Sequence, residues 1–107
     1  MKIVLLTLVT AVVASADNRI ANHYSCVSAS KNTLEASAKF GEIVVKNNRG
    51  KMLRNIDGTT AKVTAANAAG VYIEFINEDQ ESVLTIDDKV SGITAYFGEK
   101  YICSKRN

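Results

Sequence analysis

Apolar and polar positions alternate through most of the second half of the chain. Val71, Ile73 and Phe75 alternate with Tyr72, Glu74 and Ile76, the period of two that marks a half-buried strand. Thr59 to Ala66 reads as another strand, entered from the Asp57-Gly58 turn and left at a turn over Asn67 to Gly70. After a polar turn at Asn77 to Gln80, Glu81 to Ile86 forms a strand ended by Asp87-Asp88. Ser91 to Phe97 follows, and Gly98-Glu99 turns the chain into Tyr101-Ile102-Cys103. Near the start, His23 to Ala29 alternates weakly and predicts a short first strand.

One stretch carries a different period. Leu34, Ala38, Gly41 and Val45 recur at helical spacing, and Phe40 and Val44 widen the stripe. Asn32 followed by Glu35 makes an N-cap and capping-box pair. Glu35 to Lys39 and Glu42 to Lys46 run in the favourable i, i+4 order. The spacing therefore predicts a helix over Asn32–Lys46, with Asn47-Asn48-Arg49-Gly50 ending it. Ile43-Val44-Val45 pulls the other way, because β-branched residues prefer strands. One early helix followed by closely spaced strands is an α+β pattern: a helix packed on a central antiparallel sheet.

The first sixteen residues fall outside this fold. Lys2, the apolar run Ile3 to Ala14 and the small residues Ala14-Ser15-Ala16 have the layout of a secretory leader with its cleavage site. Cleavage leaves Asp17 to Asn107 as one domain, with no later stretch long enough to cross a bilayer. Secretion places the two cysteines, Cys26 and Cys103, in an oxidising compartment, where a bond between them is expected. It would close a loop of about 78 residues, an effect of roughly 4–5 kcal/mol by chain entropy. No metal site is expected, since one histidine and two separated cysteines do not make a tetrahedral set. No cofactor is implied.

Charge is nearly balanced overall but unevenly spread. Lys31, Lys39, Lys46, Arg49, Lys51, Arg54 and Lys62 lie in the first half, whereas acidic residues dominate Glu74 to Glu99. The densest basic run, Lys46, Arg49, Lys51 and Arg54, sits where the reading places a loop after the helix, and is the candidate binding surface.

Tyr24-Ser25-Cys26 just after the leader, one helix, antiparallel strands and a closing cysteine together resemble the RNase-like secreted effectors of powdery mildew fungi. These are degenerate relatives of the guanyl-specific fungal ribonucleases. Tyr72-Ile73-Glu74-Phe75-Ile76 and Tyr101-Ile102-Cys103 look like two further pieces of that pattern. The resemblance implies a microbial ribonuclease-like fold and delivery into a host cell. Host plant proteins would be the partners, immune receptors the recognisers, RNA a secondary ligand, and the molecule a monomer. Glu74 stands where the family's catalytic glutamate would be, but the matching histidine is replaced near Ala95 and the arginine near Ser82. The only histidine, His23, precedes the motif. RNA cleavage by 2′-hydroxyl attack needs both an acid and a phosphate clamp, so an inactive, binding protein is expected and Glu74 is vestigial. The alternatives are a MAX-type two-cysteine β-sandwich effector, another small secreted binding protein, or an active ribonuclease.

Overall fold

The computed structural model describes residues 19–107; the expected leader and its expected cleavage site lie outside them. Among the described residues there are nine strands and no helix. They are β1 (His23–Ser28), β2 (Thr33–Ser37), β3 (Glu42–Lys46), β4 (Met52–Ile56), β5 (Thr60–Asn67), β6 (Gly70–Ile76), β7 (Ser82–Lys89), β8 (Gly92–Tyr96) and β9 (Lys100–Arg106). The fold is thus all-β, and the expected α+β, ribonuclease-like arrangement is corrected.

The segment expected to be helical is a hairpin. Leu34 and Ala36 alternate inward on β2, and Ile43 and Val45 on β3, all four buried. Leu34 pairs directly with Val45 and Ala36 with Ile43, so the apparent helical stripe is two facing period-two stripes. The turn needs Gly41, whose φ of 64° is left-handed and incompatible with a helix interior. The capping-box pair is also used otherwise. Asn32 Nδ2 donates to Glu99 Oε2 at 2.9 Å, and Glu35 accepts from Ser25 Oγ at 2.6 Å. β-branched preference and alternation outweigh a helical spacing built largely on Ala38 and Gly41.

All nine strands form one antiparallel sheet in the order β4-β3-β2-β1-β9-β8-β7-β6-β5. It consists of two up-and-down meanders, β1–β4 and β5–β9, which meet laterally at the β1–β9 pair. Chain-consecutive β4 and β5 are therefore the opposite edges. Flat, those edges would stand about 38 Å apart at the usual strand spacing of about 4.8 Å. The Asp57-Gly58-Thr59 link can bridge only about 15 Å. The sheet must curl until its edges approach at one corner, which gives an open half-barrel. Thr59 fixes that corner by donating both its backbone N–H (3.0 Å) and its hydroxyl (2.8 Å) to Gly41 O.

The concave face is the core. Tyr24, Cys26, Leu34, Ala36, Ile43, Val45, Val71, Ile73, Phe75, Leu84, Ile86, Ala95 and Tyr101 all face inward and are buried. Cys26 pairs with Cys103 across the β1–β9 seam and is bonded to it. The expected disulfide is present, and it joins the two meanders where they meet. The strand expected to stop before Asp87-Asp88 runs on to Lys89. Asp88 is retained on the inner face because the carboxylate has partners there. Tyr24 Oη donates to it at 2.8 Å, and Lys105 Nζ lies 3.2 Å from both its oxygens.

Candidate functional site

The four basic residues singled out from sequence lie together, but not on a loop after a helix. Lys46 ends β3, Arg49 and Lys51 occupy the hairpin turn, and Arg54 is in the middle of β4. The turn is tight. Asn47 Oδ1 accepts from the backbone N–H groups of Arg49 (2.9 Å) and Lys51 (3.0 Å), and Gly50 supplies the left-handed residue, φ 80°. Between Ile43 and Ile56 the chain has no carboxylate. Among the described residues, none of the four cations forms an ion pair.

β4 was missed from sequence, since Met52-Leu53-Arg54-Asn55-Ile56 shows no alternation and all but Ile56 are exposed. It is an edge strand with one packed neighbour, so its sequence was never forced into a buried pattern. A bulge at Val45/Lys46 leaves Leu53 without a partner across the ladder, and bulges re-aim side chains. Met52 and Leu53, 54% and 49% exposed, consequently stand in solvent among the cations. The other edge, β5, is also bulged, between Val63 and Ala65. Irregular edges of this kind resist edge-to-edge strand addition.

Arg54 faces the concave side, opposite Val45. Its guanidinium lies 6.0 Å from the centre of the Phe97 ring, which belongs to the β8–β9 turn on the far side of the curl. Leu53, Arg54, Val83, Phe97 and Tyr101 line a groove of about 540 Å³ along this opening, with the Glu99 carboxylate among its lining residues. The hairpin thus offers exposed cations, two exposed aliphatic side chains and an adjoining groove on one rim.

The motif residues Tyr24 and Cys26 are part of the buried core. Tyr24 and Cys26, two apart on β1, share the inner face; Tyr24 Oη accepts from the Ala21 backbone N–H at 3.2 Å while donating to Asp88. Burial, reinforced by the Asp88 carboxylate, pushes the Tyr24 phenol far above its ordinary range. Glu74 is on the outer face of β6, opposite Lys62 and Thr85, while Ala95 is buried on the inner face of β8. The side chains of these two positions therefore lie on opposite faces of the sheet. Glu99, missed from sequence, ties the β1–β2 turn to the β8–β9 turn. It accepts from Ser30 Oγ (2.8 Å), Asn32 Nδ2 (2.9 Å) and Tyr101 Oη (3.4 Å), and these bonds, from Ser30 first and then Asn32, hold its carboxyl below the usual range.

No family model, curated protein or solved structure matches the chain.

Proposed function

We propose that the protein is a secreted binding protein, without catalytic activity, that grips an acidic surface of a partner protein with its β3–β4 hairpin. The observation that supports this most is the hairpin's composition: Lys46, Arg49, Lys51 and Arg54 with no carboxylate between Ile43 and Ile56, around exposed Met52 and Leu53. Exposed aliphatic side chains add desolvation energy, while the ring of charge sets orientation and association rate. The leader-like start and the Tyr24-x-Cys26 motif with its late partner Cys103 support the host-directed effector reading, on a half-barrel instead of a ribonuclease scaffold. In that reading the partner is a host protein.

The test is affinity enrichment from host extract, comparing wild type with the Lys46→Glu, Arg49→Glu, Lys51→Glu, Arg54→Glu variant. A partner should be enriched by the wild type and lost with the variant. The purified pair should bind with an affinity that falls as salt rises. Identical protein sets from both baits would defeat the proposal. RNA would use the same cations, and a nuclease-treated parallel separates it, since a protein partner survives that treatment.

A further inference from the structure

The outer face of the sheet carries a second feature, distant in sequence from the hairpin. Register places its residues in two adjacent rows. Tyr72 on β6, Asp87 on β7 and Thr94 on β8 lie side by side, and so do Glu74, Thr85, Tyr96 and Lys100 in the next row. Tyr72 and Tyr96 thus stand at opposite corners of a small parallelogram, two strands and two residues apart. Ordinary sheet spacings put their backbones about 12 Å from each other. Between them runs a shallow cleft of about 430 Å³, lined by both tyrosines, Thr85, Asp87, Thr94 and Lys100.

The chemistry of this cleft is mixed in a particular way. Its walls are aromatic and open to solvent, with Tyr72 38% and Tyr96 59% exposed. Its floor is hydroxylated. Among the described residues, no side-chain hydrogen bond engages either threonine hydroxyl or either phenol, so all four remain free to donate and accept. Asp87, which Lys89 Nζ meets at 3.3 Å, and Lys100 at the cleft edge add charged groups of both signs beside the hydroxyls. Cross-strand pairing holds every one of these residues on a rigid element, which lowers the ordering cost of binding.

We infer that this cleft binds a linear, uncharged oligosaccharide. A pyranose ring has an apolar C–H face that stacks on a tyrosine and an equatorial rim of hydroxyls that both donate and accept. The two tyrosines are far enough apart to stack on different rings of one chain. The threonines, Asp87 and Lys100 take the hydroxyls between. A dry apolar peptide would instead leave the floor hydroxyls without partners, which costs affinity. The site is independent of the hairpin on the rim.

The experiment is an NMR titration of the secreted protein with neutral tetrasaccharides: β-1,4-linked glucose, β-1,4-linked N-acetylglucosamine and α-1,4-linked glucose. At least one should give saturable shifts at the amides of residues 72, 85, 87, 94 and 96 below roughly 10 mM, the weak end of useful affinity. Tyr72→Ala and Tyr96→Ala should each weaken it about tenfold, the equivalent of one stacking contact of about 1.4 kcal/mol. Tyr96→Phe should keep most of the affinity, since the ring remains. Unchanged melting temperatures would show that the variants fold. The hairpin charge-reversal variant should bind the sugar as the wild type does, which separates this site from the protein-binding proposal. Absence of saturable shifts with all three sugars would overturn the inference. So would shifts that survive in the double tyrosine-to-alanine variant.

Discussion

Single residues fix the two ends of the half-barrel. At one end Tyr24 connects the N-terminal segment, through Ala21, to Asp88 on the opposite meander. Tyr24→Phe leaves the ring in place and removes only the hydroxyl. It should lower stability by about 1–3 kcal/mol, because a buried carboxylate and a backbone N–H each lose a partner; urea unfolding measures it. At the other end Glu99 joins two turns and has a lowered pKa. A carboxyl depressed in the folded state contributes stability above its unfolded pKa and loses it as pH falls through its folded pKa. Glu99→Gln should therefore melt below the wild type at neutral pH, and the gap should close as the solution is acidified past the usual carboxylate range. A gap constant down to the acid limit would show that the carboxylate's charge plays no part. Neither role was visible in the chain, since both depend on partners more than sixty residues away.

The β2–β3 hairpin shows how an element can be misread from a strong local pattern. A helix and a hairpin make opposite predictions at one position. In an exposed helix interior, Gly41→Ala would stabilise by about 1 kcal/mol. In the hairpin, φ is 64° and an added Cβ would lie 1.9 Å from Thr59 O. The substitution should therefore destabilise by more than about 2 kcal/mol, as thermal unfolding would report. Circular dichroism of a chain starting at Asp17 should likewise lack helical minima. The strands β1, β6, β7, β8 and β9 were legible to within a few residues because each packs inward positions against the core and so alternates, and β5, an exposed edge, was legible from the turns that bracket it. β4 was not, because an edge strand with exposed side chains has no packing constraint to write into its sequence. The basic residues were recognised as a surface, but their shape, a tight hairpin ending in an edge strand, emerged only from pairing.

At the scale of the molecule, the β1–β9 seam is decisive. Two meanders are joined there by one ladder and one covalent bond, and at the far corner by the Asp57-Gly58-Thr59 link. Reduction should cost roughly 4–5 kcal/mol at the loop length set by a separation of 77 residues. Because the bond spans the seam, amide exchange should quicken first in β1 and β9 and later within each meander. Cys26→Ser and Cys103→Ser should behave alike, and an oxidised and a reduced protein with the same melting temperature would contradict this account.

The sequence by itself determined the strand-rich second half, the disulfide partners and the clustering of basic charge. Those features are local, or follow from a count of two cysteines. Only the tertiary structure decided that Asn32–Lys46 is a hairpin, that β4 and β5 are the two edges of one curled sheet, and that Glu74 and Ala95 lie on opposite faces. It also decided that Tyr72 and Tyr96 flank a single cleft. The physical reason is the same in each case. Strand pairing is a long-range choice, and the energy that selects one register comes from burying the whole concave face at once, not from any window of the chain.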